Sequence, residues 1–258
     1  MRAHIVVAHP EPLSFNAHLA DTARRTLERD GATVTVSDLY AMNFDPCERG
    51  GHYAPRLNGA RFDVQAEQRQ ASASGAIPAD VAAEIARLAQ ADLLILQYPM
   101  WWHLPPAMLK GWLDRVFIYG DVYTSKQRFE HGRFTGRRAM LSVTVGTSEA
   151  TYAFNGRSGD IDLLLWPVNF SLAYVGYTVL RPFVAYGVEA GLRYSDSATV
   201  DARLRQVERD WIASVSGVAA RPAVPFNRMA NWGADGRIKP DAPVYSPFIR
   251  KVSDVVIE

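Results

Sequence analysis

The chain has 258 residues, with 28 basic and 27 acidic side chains and a formal charge of +1. That length suits one large domain, or one domain with an appendage, able to bury a proper core without metals or disulfides. The balanced charge gives no electrostatic footprint for nucleic acid, and the lone Cys47 rules out an internal disulfide.

The first strand is predicted at Ala3–Ala8, within His4-Ile5-Val6-Val7-Ala8, and stops at His9-Pro10-Glu11-Pro12-Leu13. A helix follows over Ser14–Arg29, with Phe15, Leu19, Ala23 and Leu27 at helical spacing and Gly31 just beyond. A second strand is read at Thr33–Ser37, and residues 41–76 read as irregular. A helix at Pro78–Ala91 precedes a strand at Leu93–Gln97, which is apolar throughout as a strand buried on both faces should be. The loop Pro99-Met100-Trp101-Trp102-His103-Leu104-Pro105-Pro106 leads into a helix at Ala107–Phe117. A long connection over 119–137 reaches a strand at Ala139–Val145, ending at Gly146-Thr147-Ser148-Glu149. An apolar helix at Gly159–Tyr174, a fifth strand at Thr178–Ala185 and a helix at Thr199–Val215 complete the pattern. The last forty residues hold five prolines and little periodicity, and read as an ordered tail or a partner-wrapping arm.

Five β/α units with buried central strands predict an α/β, doubly wound parallel sheet with helices on both faces. The expected division is a domain over 1–219 and a tail over 220–258 that packs on the domain or on a partner subunit. Ligands of such sheets bind beyond the carboxyl ends of the strands. The three unusual loops, at 9–16, 99–106 and 146–158, each follow a predicted strand and so converge there.

The first loop leads into a helix N-terminus, whose free N–H groups and dipole favour an anion such as phosphate. It has no glycine, so the dinucleotide fingerprint is absent. Trp101 and Trp102 offer flat walls for a planar ligand; the alternative is that they pack in the core or at a dimer contact. Gly146 and Thr147 allow close backbone approach, and Tyr152 carries a phenol that can bond charge developing on a bound ring. No set of His, Cys, Asp and Glu has metal-ligand spacing, and no P-loop or G-x-S-x-G elbow occurs. A planar, phosphorylated ligand is expected. A flavin fits best; a mononucleotide or coenzyme A fits less well.

The chain resembles the NAD(P)H:quinone oxidoreductases of the flavodoxin-like fold. The likeness runs in order from about residue 3 to 185. It lies in Ala8-His9-Pro10-Glu11-Pro12 with Ser14-Phe15-Asn16, in Ser37–Phe44, in Gln97–Trp102, and in Pro105-Pro106-Ala107-Met108-Leu109-Lys110-Gly111-Trp112. Asp114-Arg115-Val116-Phe117 and Leu165-Trp166-Pro167 extend it. The resemblance implies FAD rather than FMN, held non-covalently in a homodimer, and ping-pong two-electron transfer from NAD(P)H to quinones or related electron-poor aromatics. It implies that His9, Ser14, Phe15 and Asn16 hold the pyrophosphate. Pro99, Met100, Trp101, Trp102 and His103 would lie along the isoalloxazine, with Gly146 and Thr147 on another edge. Tyr152 matches the family's tyrosine near the pyrimidine end; Tyr123 matches an aromatic at the mouth of the substrate pocket, where Trp102 also lies.

Three positions depart from the family. Ser158 stands where the vertebrate members have a histidine that stabilises the reduced flavin's charge, so Arg157 or Tyr152 alone is expected to take that role. Thr147 replaces a glycine and narrows the flavin edge. Ser125 replaces a tyrosine, suggesting a wider or more polar pocket entrance. Competing readings are a nitro- or azoreductase, an ancillary subunit of a potassium efflux system, and a one-electron carrier, which the balanced charge disfavours. No membrane insertion and no nucleic-acid partner are expected, and with Met1-Arg2-Ala3 leading straight into a strand the expected location is cytoplasmic.

Overall fold

A computed structural model describes residues 1–189 and 195–254. Its sheet has the order β2-β1-β3-β4-β5, with every pairing parallel. The strands are β1 (Arg2–Val7), β2 (Thr33–Asp38), β3 (Leu93–Pro99), β4 (Arg138–Thr144), β5 (Thr178–Val179) and β6 (Phe183–Ala185). The helices are α1 (Phe15–Arg29), α2 (Val64–Ser74), α3 (Ala79–Gln90), α4 (Ala107–Val116), α5 (Ile161–Tyr174) and α6 (Ser197–Ser216).

Alternating side chains along the central strands feed two cores. Ile5, Val7, Leu93, Ile95 and Met140 face α1 and α6, where Leu19, Leu27, Trp211 and Val215 cover them. Val6, Leu94, Leu96, Leu141 and Val143 face α3, α4 and α5, packing on Ile85, Leu88, Trp112 and Leu172. Each fully buried aliphatic side chain contributes about 1.5–3 kcal/mol, and all seven residues of β3 are buried. Trp211 adds a specific tie by donating its Nε1–H to the Leu19 carbonyl at 2.9 Å.

Charged groups also lie inside the fold, among them Glu84, Glu67 and Arg115. Glu84 on α3 is fully buried. Its carboxylate accepts from Trp112 Nε1 at 2.8 Å and Ser37 Oγ at 2.9 Å, and it pairs with Arg87. His4 Nε2 stands 3.9 Å away. Burial alone would raise the Glu84 carboxyl, but its interactions with His4, Trp112 and Ser37 hold it below the usual value.

Two expectations need correction. The 41–76 stretch is not irregular throughout: α2 occupies Val64–Ser74. Asp63 caps its first turn by accepting from the Ala66 N–H, and Gly75 ends it at φ +70°. Its weak apolar face, in a Gln/Ala/Ser-rich run, hid it from periodicity. The fifth strand is divided, because Pro182 supplies no N–H to a ladder; β5 and β6 pair separately with β4. Residues 222–224 fill the break: Arg181 N donates to Pro222 O and Val224 N to Val179 O, both at 2.8 Å. This segment covers what would otherwise be an open sheet edge.

Candidate active site

Three loops leave the carboxyl ends of β1, β3 and β4 at one edge of the sheet, on either side of the β1/β3 switch point. The first is pinned from within. Glu11 N donates to His9 Nδ1 at 3.0 Å, Ser14 N to Glu11 O at 3.1 Å, and the Ser14 hydroxyl caps Ala17 N at 3.2 Å. Among the described residues no protein acceptor meets the N–H groups of Phe15 and Asn16, and the first turn of α1 has no acidic residue. An anion can therefore be received there.

Asn16 is buried and both ends of its amide are hydrogen-bonded within the fold. Its Nδ2 donates to Thr144 Oγ1 at 2.9 Å, and its Oδ1 accepts from Gln97 Nε2 at 2.9 Å. The resemblance implies contact with a pyrophosphate, for which the Asn16 backbone N–H is without a protein acceptor among the described residues. The side chain fixes the start of α1 to the ends of β3 and β4. Beneath it, Gln97 Oε1 and Ser142 Oγ are buried without partners, on residues that face each other in register.

The second loop turns sharply. Trp101 N and Leu104 N each donate to the other residue's carbonyl at 3.0 Å. The two central residues, Trp102 and His103, have φ of +51° and +64°. Such a turn normally takes Asn-Gly, and side chains there cost on the order of 1–3 kcal/mol each. The result is a Trp102 side chain that is 92% exposed. Trp101 packs edge-on against His9, with ring centroids 5.9 Å apart, so the first two loops touch. Pro99 is buried, Met100 is packed partly on the core, and His103 is exposed.

In the third loop Gly146 and Thr147 are exposed, and a Cβ on Gly146 would meet nothing nearer than 3.8 Å. Thr147 O accepts from Gly187 N at 2.9 Å. The chain then folds back on itself, with Ser158 N donating to Thr151 O at 3.0 Å. Gly156 is required here because any Cβ would strike the Thr151 carbonyl. Tyr152 is half-buried on the core with its ring 6.4 Å from that of Tyr186.

A cavity of about 720 Å³ brings together Gly146, Thr147, Arg157, Tyr186, Glu189 and Arg203. Arg203 donates to Gly187 O at 3.0 Å and Glu189 Oε1 at 3.1 Å. Burial, with Glu149, Asp162 and Asp160 nearby, pushes the Tyr186 phenol up to about 12, so it remains a neutral donor. Tyr186 and Arg203 were not among the candidates drawn from sequence. Arg203 reads there as one more polar residue on an amphipathic helix, and only the fold carries it to the cavity.

Tyr123 and Ser125 are not brought to this cavity. Tyr123 lines a separate groove of about 750 Å³ with Gln65, Leu104, Phe117, Phe170 and Tyr174. Ser125 is exposed. The groove borders the tryptophan turn through Leu104 and Pro105.

A family model described as flavodoxin-like fold matches residues 1–210. NAD(P)H dehydrogenase (quinone) 1 of Cavia porcellus is 39% identical over 189 residues, covering 72% of this chain and 69% of the relative. The chain belongs to the flavodoxin-like-fold family, among the NAD(P)H:quinone oxidoreductases. Human ribosyldihydronicotinamide dehydrogenase (quinone) is 35% identical over 209 residues, covering 80% of this chain and 90% of that protein. A solved structure from Klebsiella pneumoniae, assigned provisionally as a quinone reductase, superposes with a TM-score of 0.84 at 32% identity, covering 93% of this chain and 94% of that one. This member of the family is thus a flavoprotein oxidoreductase. No helix among the described residues is long and apolar enough to cross a membrane, and no group of three or more metal-ligating side chains occurs among them.

Proposed function

We propose that this oxidoreductase binds FAD and reduces quinones with NAD(P)H by ping-pong two-electron transfer. The observation that carries the reading is Trp102, fully presented on a turn whose two central residues hold left-handed backbone. A protein keeps such strain where it serves a ligand. The residues present fit the group: aromatic faces at Trp101 and Trp102, free N–H groups at Phe15 and Asn16, and an open glycine edge at Gly146. When bound, FAD would supply the hydride relay between donor and acceptor.

The chain's own groups would then act as follows. Phe15 and Asn16 N–H would bind phosphate, aided by the α1 dipole. Ser14 and His9 shape that loop, since each is already engaged in holding it. Trp101, Trp102 and His103 would flank the planar ring, with Pro99 and Met100 behind them. Gly146 and Thr147 would border its polar edge. Tyr152, with Arg157 in place of the family histidine at Ser158, would stabilise negative charge on the reduced ring; Ser158 can donate a hydrogen bond but carries no charge.

The active unit is a homodimer in this reading. The groove holding Tyr123 is apolar, is bordered by Leu104 at 58% exposure, and lies apart from the Arg157 cavity. A second copy seated there would bring its own tryptophan turn toward Tyr123 and complete the acceptor pocket. Relatives' names point to two donor classes, so NADH, NADPH and N-ribosyldihydronicotinamide all belong in the assay. Heat-released cofactor identified by chromatography separates FAD from FMN. Initial rates against donor at several fixed quinone levels should give parallel double-reciprocal lines; intersecting lines would refute the ping-pong cycle.

A further inference from the structure

Arg128 differs from other arginines that are held in the fold. Arg115 is paired with Asp80, Arg133 with Asp121, and Arg221 donates to the carbonyls of Arg181 and Pro182. Among the described residues Arg128 meets no carboxylate. Its Nη1 reaches only the Tyr174 hydroxyl, at 3.4 Å, and its guanidinium lies 5.9 Å from the centroid of that ring. Its Nε is buried with no partner. The nearest carboxylate in sequence, Glu130, is occupied by the Met229 N–H, at 2.9 and 3.0 Å from its two oxygens.

The surroundings are aromatic. Tyr174 packs edge-to-face against Phe129 at 5.1 Å and against Tyr123 at 5.8 Å. Phe129 itself holds a φ of +51°, a strained backbone next to the arginine. Tyr123 and Tyr174 both line the groove, whose apolar wall is edged by Gln65, Lys110 and Asp114, and Arg128 adjoins it through Tyr174. An aromatic wall suits a planar ring, and a guanidinium with free donors suits a carboxylate or sulfonate on that ring's edge.

We infer that Arg128 is a specificity-determining residue for the acceptor, favouring quinones that carry a carboxylate or sulfonate over neutral ones. This rests on the reading of Tyr123 as the mouth of the acceptor pocket. A paired, partly desolvated charge-assisted bond is worth roughly ten- to hundredfold in affinity.

The test compares kcat/KM for 1,4-naphthoquinone-2-sulfonate with that for 1,4-naphthoquinone, using the flavin-loaded protein. The sulfonate-to-neutral ratio should fall about tenfold or more in Arg128→Gln. It should be largely kept in Arg128→Lys, and in the wild type it should fall as salt is raised. The change should sit in KM for the sulfonate. A ratio within about twofold of wild type in Arg128→Gln, or one insensitive to salt, would overturn the inference. If Arg128→Gln does not fold, the lysine variant and the salt series decide. If the wild type reduces neither quinone, the proposed function fails while the inference still stands or falls on binding. Tryptophan quenching would then show tighter binding of the sulfonate, lost at high salt, or equal binding of both, which would refute it.

Discussion

Asn16 Nδ2 lies 2.9 Å from Thr144 Oγ1, joining the first turn of the first helix to the last residue of the fourth strand. With Gln97 on its other side, Asn16 spans the floor on which the three loops stand. Asn16→Ala would leave buried groups on Gln97 and Thr144 unpaired, at about 1–3 kcal/mol. We expect urea unfolding of the flavin-free protein to report that loss and flavin affinity to fall with it. Full stability in the variant would show that the floor does not depend on Asn16.

The tryptophan turn trades stability for a ligand surface. Replacing Trp102-His103 by Asn-Gly puts residues suited to positive φ into the same backbone. The flavin-free variant should melt higher than wild type while binding flavin at least tenfold more weakly. Calorimetry and a fluorescence titration measure the two effects. A lower melting temperature would mean that the left-handed conformations are not strained.

Arg157 tests the departure from the family at Ser158. Arg157→Ala should slow the first half-reaction by about tenfold or more, as loss of charge stabilisation does. Arg157→Ala combined with Ser158→His should recover part of it. Stopped-flow absorbance under anaerobic conditions reads both. An unchanged rate in Arg157→Ala would leave Tyr152 to act alone.

The Glu84 carboxyl sits below its unfolded value, so the folded state gains stability from it at neutral pH. That contribution is complete above the ordinary glutamate carboxyl value of 4.5 and is lost as pH falls through the lower folded value. Glu84→Gln should cost about 1–3 kcal/mol at neutral pH, because one amide oxygen cannot replace both buried carboxylate acceptors that Trp112 Nε1 and Ser37 Oγ now meet. Its stability should also vary less with pH in the acid range. Denaturation curves at a series of pH values give both; an equal acid slope in the two proteins would assign the acid sensitivity elsewhere.

Most of the fold was legible because the central strands bury both faces and the helices carry strong apolar stripes. Leu93–Pro99 and the Phe15, Leu19, Ala23, Leu27 spacing are such cases. The second helix, over Val64–Ser74, was not, since capping by Asp63 and Gly75 defines it rather than an apolar face. The break at Pro182 and the covering of that edge by residues 222–224 depend on contacts distant in sequence. For the site, the loops that gather it follow from topology, and Trp102 and Gly146 stand where a ligand can reach them. The role of the Asn16 side chain in the floor was not legible, because it requires Gln97 and Thr144, remote partners that only the folded sheet supplies. Arg203 and Tyr186 reach the cavity for the same reason.

The central claim is that this chain passes electrons from a reduced nicotinamide to a quinone through a bound flavin. The most direct measurement is the visible spectrum of the purified protein without oxygen, before and after NADH or NADPH, and again after a benzoquinone. The account predicts a yellow flavin band that bleaches with the nucleotide and returns with the quinone. A bound flavin that neither NADH, NADPH nor N-ribosyldihydronicotinamide bleaches would contradict it.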